Sequence, residues 1–168
     1  KAAMSVTTSM ICDGNINTFR HMEQKHQVES YVLDIPNTYS PEAERYVVGQ
    51  LQELIELLET KTGQTLDMNE LQAAIQRENE SKEYYKAFLK EQKHRYYPNT
   101  MTLDLYMLFA SHLNIGTRET LDFFKCLAED VKTYPEFDGK GILWVHLMPY
   151  YQETLQQYMN YQEKYYIQ

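Results

Sequence analysis

The first 36 residues alternate between strand-forming and helix-forming segments, and this order constrains the fold more than any other feature. A β-branched run over residues 4–12 is followed by a turn and a helix predicted over 15–26, and a second β-branched run covers 31–35 before Pro36. Two short strands joined by a helix pair in parallel, because a tight hairpin turn can join only antiparallel strands. The sequence therefore predicts a β-α-β unit of the α/β class.

Cys12 lies where the first strand gives way to this helix. Ligands collect at the carboxyl ends of parallel strands, and the positive end of the following helix favours the thiolate that binds metal or attacks an electrophile. The alternative is a small buried cysteine that packs at a strand end. Spacing alone leaves both interpretations open. Gly14 permits the tight turn, and Asp13 or Asn15 is expected to cap the helix.

The middle of the chain, residues 38–138, is predicted to be helical. Ser40 and Pro41 begin a helix that Gly63 ends, and its apolar face carries Val47, Leu51, Leu54, Ile55 and Leu58. Asp67 with Glu70 starts another helix, whose polar centre suggests a bridge between two packing surfaces before Pro98.

Two further helices are predicted before residue 138. Residues 103–113 are apolar nearly all round, which predicts a buried helix ending at Gly116. Thr117 caps a helix whose inner side carries Leu121, Phe124, Leu127, Ala128 and Val131. Cys126 falls on its opposite, acidic side, so we expect an exposed or half-exposed thiol without a functional role.

The last predicted strand covers residues 141–147 and is continuous and apolar, as in buried parallel sheets. A Tyr-rich helix is expected to follow Pro149 and to continue to the end of the chain. His146 lies near the carboxyl end of this strand, and Tyr150 and Tyr151 follow it. These three residues either line a site between two α/β units or pack in a seam between helix and strand.

Charge and motif content exclude several function classes. The formal charge is -8 and no basic stripe is present, which argues against binding to nucleic acid or to an anionic membrane. Two distant cysteines fit a reducing cytoplasm. The chain has no G-x-G-x-x-G, P-loop or G-x-S-x-G motif, and His21 and His26 are spaced unfavourably for metal binding on a helix.

Taken together, the segments resemble the family of 2-hydroxyacyl-CoA dehydratase and benzoyl-CoA reductase subunits. The resemblance rests on Cys12-Asp-Gly-Asn, on the segment Tyr-Val-Leu-Asp-Ile-Pro over 31–36, and on Trp-Val-His with Pro-Tyr-Tyr over 144–151. It implies a mostly helical α/β fragment with a few parallel strands, taken from a longer subunit with two Rossmann-like domains. Residues 1–37 would form the end of the first domain, and residues 139–168 would form the start of the second. Residues 38–138 would form a helical region that connects the two domains.

The same resemblance implies chemistry that residue spacing does not. Subunits of this family hold a [4Fe-4S] cluster, pair with a second homologous subunit, and receive an electron from an ATP-dependent activator protein. That electron converts a 2-hydroxyacyl-CoA into a ketyl radical anion that expels the hydroxyl group. Cys12 matches a cluster ligand, and the other cysteines of the pattern lie outside this chain, so the fragment by itself is expected to bind no cluster and to be inactive. His146, Tyr150 and Tyr151 are weaker candidates for a site near the cluster or the thioester.

Two other functions remain open at this stage. A benzoyl-CoA reductase-type subunit would share the cluster but not the reaction. A non-catalytic scaffold would bind a partner subunit through acidic, Tyr-rich helices. A partial sheet also exposes an unpaired edge, so we expect self-association wherever that edge is uncovered.

Overall fold

A computed structural model describes residues 2–10, 13–97, 101–143, 145 and 165–167. The chain divides into two compact units, Lys1–Asp67 and Met68–Gln168, which we call the N-terminal and C-terminal units. Within the described residues, helices predominate and the strands form two small parallel sheets. This architecture is consistent with the predicted mostly helical α/β class.

The N-terminal unit is the predicted β-α-β arrangement followed by one long helix. Its elements are β1 (Ser5–Thr8), α1 (Asp13–His26), β2 (Ser30–Leu33) and α2 (Pro41–Thr62). Strands β1 and β2 pair in parallel, with Ser5 opposite Ser30 and Thr8 opposite Leu33. The parallel pairing is confirmed, and β2 ends two residues before the predicted Ile35.

Helix α2 begins and ends where its capping residues predict. The Ser40 hydroxyl accepts a hydrogen bond of 3.1 Å from the Ala43 N–H, and Pro41 occupies the first turn. At the other end Gly63 has φ +69°, and its N–H donates to the Glu59 carbonyl at 2.8 Å. A left-handed residue at this position satisfies the last free carbonyl groups of a helix, which explains the glycine.

The C-terminal unit contains three helices and a second parallel strand pair. Its elements are α3 (Met68–Gln92), α4 (Met101–Leu113), α5 (Arg118–Asp130), a 3-10 turn (Val131–Thr133), β3 (Lys140–Ile142) and β4 (Tyr165–Ile167). Thr117 caps α5 as predicted, since its hydroxyl accepts from the Thr120 N–H at 3.2 Å.

The hydrophobic core of this unit lies mainly between α3 and α5. The buried apolar residues are Phe88, Tyr97, Met107, Phe124, Leu127, Ala128 and Val131. Phe88 is fully buried, and its ring meets that of Tyr97 edge-on with centroids 5.4 Å apart. Partial burial of Tyr85, 5.0 Å from Phe124, raises the pKa of its hydroxyl. The predicted inner side of α5 is therefore confirmed.

Helix α3 packs along α5 over most of its length, including its polar centre. Ala74 lies against Gly116 at the start of α5, and Tyr85 lies against Phe124 further along it. In between, Ser81 is buried and donates to the Arg77 carbonyl at 2.7 Å. The polar segment is thus part of one continuous packing surface rather than a bridge between two.

Three predictions of local structure were wrong. The helix expected to be buried, α4, is largely exposed among its described residues: Tyr106, Leu108, Phe109 and Leu113 are all exposed, and only Met107 is buried. Strand β3 is three residues long, and Leu143 and Val145 beyond it are 78% and 76% exposed. Tyr165–Ile167 forms a strand parallel to β3 instead of continuing a helix.

No helix in the described ranges is both long enough and apolar enough to cross a membrane.

Candidate functional site

The carboxyl ends of β1 and β2 lie side by side in the N-terminal unit. Thr8 is opposite Leu33, and the Ser9 N–H donates to the Leu33 carbonyl at 3.1 Å, which extends the ladder by one bond. Helix α1 begins at Asp13, four residues after Ser9. The two strand ends therefore form the kind of edge at which ligands of parallel sheets bind.

The Ser9 hydroxyl joins the two strand ends. It donates to Asp34 Oδ1 at 2.8 Å and accepts from the Ile35 N–H at 2.8 Å. One side chain thus uses both its donor and an acceptor to connect the segment after β1 to the segment after β2. The chain then turns, with the Met10 N–H donating to the Thr8 hydroxyl at 3.2 Å.

Helix α2 adds two side chains to the same point. The Tyr46 hydroxyl donates to Asp34 Oδ2 at 3.2 Å, and this bond to a carboxylate raises the pKa of the tyrosine. Gln50 Oε1 accepts from the Asp34 N–H, and Gln50 Nε2 donates to the Asp34 carbonyl, both at 2.8 Å. The Gln50 amide therefore pairs with the Asp34 backbone as a neighbouring strand would.

We call Ser9, Asp34, Tyr46 and Gln50 the strand-end cluster. Both Asp34 carboxylate oxygens accept hydrogen bonds although the residue is exposed. The bonds of these four side chains tie the end of β1 to the end of β2 and to α2. Among the residues that the structure describes, no group of three or more His, Cys, Asp or Glu side chains could hold a metal ion.

The residues predicted to carry function fall outside the described part of the chain. Cys12, His146, Tyr150 and Tyr151 all belong to ranges about which the structure gives no placement. Cys126 is described, and it is an exposed free cysteine on α5, as predicted. It lines an open groove of about 590 Å³ together with Phe123, Glu129 and other residues.

Sequence analysis did not single out the strand-end cluster. A signal was available, because Ser9 and Asp34 are polar residues that follow the two strands of a predicted parallel pair. Nothing in the local pattern, however, indicated that Gln50 and Tyr46 would reach Asp34 from a helix 12 to 16 residues further along the chain.

Replacement of Ser9 by alanine tests the cluster. We expect a loss of about 1–2 kcal/mol in the free energy of unfolding, because the Ile35 N–H and Asp34 each lose a partner. Urea titration and amide exchange at Ile35 measure the effect.

Ser30→Ala is the matched control at the other end of the sheet. The Ser30 hydroxyl is buried without a hydrogen-bond partner in the described structure, so its removal should be neutral or stabilising. Equal effects of the two substitutions would contradict the described geometry.

Sequence comparisons identify the relatives of this chain. The (R)-phenyllactyl-CoA dehydratase alpha subunit of Clostridium sporogenes is 29% identical over 138 residues, which cover 73% of this chain and 32% of that subunit. The chain thus matches about a third of the relative's length. The sequence profile of the 2-hydroxyglutaryl-CoA dehydratase D-component matches residues 1–167. The resemblance noted in the sequence is confirmed, and the chain belongs to the family of 2-hydroxyglutaryl-CoA dehydratase D-components.

Proposed function

We propose that this chain is part of a 2-hydroxyacyl-CoA dehydratase-type subunit, which removes water from a 2-hydroxyacyl thioester of coenzyme A. The observation that carries the proposal is the family match over residues 1–167. The name of the Clostridium sporogenes relative, a dehydratase acting on an aryl-substituted 2-hydroxyacyl-CoA, supports the same substrate class. As a subunit of this type, the chain would work with a second homologous subunit and an ATP-dependent activator protein.

The arrangement of the N-terminal unit supports a role for Cys12 as a thiolate ligand of a [4Fe-4S] cluster. Cys12 directly precedes Asp13, the first residue of α1, and follows Ser9 by three residues. Both the positive end of a helix and the carboxyl end of a parallel strand pair suit a thiolate bound to an anionic cluster. One thiolate does not hold a cluster, so the remaining ligands would come from outside this chain.

The chain's own contribution would be to hold this loop in place. The strand-end cluster fixes the residues just before it, since the Ser9 backbone and hydroxyl are both bonded to the end of β2. When bound, the iron–sulfur cluster would supply single electrons to the thioester. His146, Tyr150 and Tyr151 stay as candidates for the surroundings of the iron–sulfur cluster or the thioester, without an assigned acid or base.

Iron and sulfide analysis under anaerobic conditions tests this proposal. The full-length protein that contains this chain should bind about four irons per cluster, and Cys12→Ser should lose the iron or change its optical spectrum. Cys126→Ser is the matched control, because Cys126 is exposed on α5 in the other unit and should leave the iron content unchanged.

The alternatives predict different results. If neither the unsubstituted full-length protein nor its variants bind iron after reconstitution, a non-catalytic scaffold becomes the better explanation. If iron binds and the protein reduces benzoyl-CoA rather than dehydrating a 2-hydroxyacyl-CoA, the reductase-type subunit is favoured.

A further inference from the structure

Asp34 is held through both its side chain and its backbone. Its carboxylate accepts from the Ser9 hydroxyl at 2.8 Å and from the Tyr46 hydroxyl at 3.2 Å, one bond on each oxygen. Its N–H and C=O groups both bond to the Gln50 side chain at 2.8 Å. Water alone could satisfy an exposed carboxylate, so these four directed bonds fix where Asp34 lies.

The directions of these hydrogen bonds require a carboxylate at position 34. The Ser9 hydroxyl accepts from the Ile35 N–H at 2.8 Å and donates its single proton to Asp34 Oδ1. The Tyr46 hydroxyl also has one proton, which it donates to Oδ2. A carboxylate accepts at both oxygens, whereas an asparagine amide of nearly the same size offers an acceptor to only one of the two hydroxyls.

Only three residues separate Ser9 from the start of α1 at Asp13. The Ser9 end of this segment is held by the N–H bond to the Leu33 carbonyl at 3.1 Å and by the hydroxyl bonds to Asp34 and Ile35. Consecutive Cα atoms lie about 3.8 Å apart, so so short a segment has few ways of joining two fixed ends. Any shift of Ser9 relative to α1 must therefore be taken up by residues 10–12.

We propose that Asp34 is a positioning residue for Cys12 that acts through Ser9, and that Tyr46 and Gln50 hold Asp34 in place for this role. The inference rests on the proposed function, in which Cys12 is a ligand of the iron–sulfur cluster. It makes the geometry of that ligand depend on α2, whose Tyr46 and Gln50 lie 12 and 16 residues beyond Asp34.

The alternative is that the bonds of Asp34 only stabilise the N-terminal unit, and Tyr31 allows the two roles to be separated. The Tyr31 hydroxyl donates to the Gln50 carbonyl at 2.9 Å, so it connects β2 to α2, but this bond involves neither Ser9 nor Asp34. Tyr31→Phe and Tyr46→Phe each remove one tyrosine hydroxyl from the contact with α2. Only Tyr46→Phe removes a bond to Asp34, so Tyr31→Phe is the matched control.

A nitroxide spin label on Cys12 provides the first test and needs no iron. The chain has two cysteines, so Cys126→Ser leaves Cys12 as its one labelling site. Asp34→Asn and Tyr46→Phe should narrow the lines of the nitroxide spectrum, because the labelled segment moves more freely, and Tyr31→Phe should leave them unchanged. Ser9→Thr keeps the hydroxyl and should preserve the spectrum that Ser9→Ala changes, which covers the case that Asp34→Asn does not fold.

Iron release to a chelator provides the second test, in the full-length protein that contains this chain. Under anaerobic conditions Asp34→Asn and Tyr46→Phe should release iron about two- to tenfold faster, the range that corresponds to one lost hydrogen bond. The electron paramagnetic resonance spectrum of the reduced iron–sulfur cluster should also shift, which a loss of stability alone does not produce. Tyr31→Phe should leave both the release rate and this spectrum unchanged.

The inference and the proposed function fail in different ways. If the full-length protein binds no iron, the proposed function is wrong, and the nitroxide spectra still decide whether Asp34 positions Cys12. If iron binds but Asp34→Asn and Tyr46→Phe change neither the nitroxide spectrum nor iron release, the inference is wrong and the proposed function stands. Equal effects of Tyr31→Phe and Tyr46→Phe would also overturn the inference, because Asp34 would then act only through the stability of the N-terminal unit.

Discussion

Phe88→Ala is expected to lower the free energy of unfolding of the C-terminal unit by about 3–5 kcal/mol, the usual range for a buried phenylalanine. Phe88 is fully buried in the core, where its ring meets Tyr97 edge-on at 5.4 Å and lies 6.5 Å from Tyr85. The substitution leaves a cavity that these rigid rings on α3 and the following segment cannot fill. Urea titration and amide exchange in α3 and α5 measure the loss.

The neighbouring residue provides the control. Leu89 follows Phe88 on α3 but is 37% exposed, so Leu89→Ala should cost about 1 kcal/mol because much of its apolar surface is already in water. Similar losses for the two variants would mean that α3 does not present Phe88 to the core in the way described here.

Helix boundaries were the part of the fold that the sequence predicted best. The start and end of α2 depend on Ser40, Pro41 and Gly63, and the start of α5 depends on Thr117. Each of these residues acts on backbone groups within four positions of itself, so the physical cause is contained in the local sequence. The inner side of α5 followed equally from its periodicity.

Burial was predicted less well because it depends on what packs against an element. The apolar composition of α4 indicated a buried helix, yet Tyr106 and Leu113 are 61% and 71% exposed. The converse holds for Ser81, a polar residue in the centre of α3 that is only 2% exposed. Composition records the preference of a side chain, whereas burial requires a neighbour that lies elsewhere in the sequence.

The candidate site was predictable only in part, for the same reason. The β-α-β order predicted Cys12 at the carboxyl edge of a parallel sheet, and Cys12 itself lies outside the described residues. The support for this edge comes from α2, through Gln50 and the backbone of Asp34. The sequence around Gln50 does not indicate that its side chain bonds to the Asp34 backbone, because this contact depends on where the whole of α2 lies.

Replacement by alanine should have different effects on stability at Gly49, Gly63 and Gly116. Gly49 lies inside α2 with open space around its Cα, so Gly49→Ala should stabilise by about 1 kcal/mol through helix propensity. Gly63 has φ +69° and open space, so Gly63→Ala should lose about 1 kcal/mol from the left-handed backbone alone. Gly116 has φ +73°, and a Cβ there would lie 2.7 Å from the Ala74 carbonyl oxygen.

Gly116→Ala should therefore be the most damaging of the three, with a loss of about 2–5 kcal/mol from the backbone conformation and the overlap together. The atom in the way belongs to the backbone of α3, so the overlap is relieved only if α3 moves away from the start of α5. That movement would stretch the 2.6 Å hydrogen bond from Arg77 Nε to the Gly116 carbonyl.

Urea titration gives the order of the three variants, and amide exchange should show the Gly116→Ala loss in both α3 and α5. A Gly116→Ala effect no larger than that of Gly63→Ala would mean that the two helices do not approach as closely as 2.7 Å requires, and the core around Phe88 would then have to be packed differently as well.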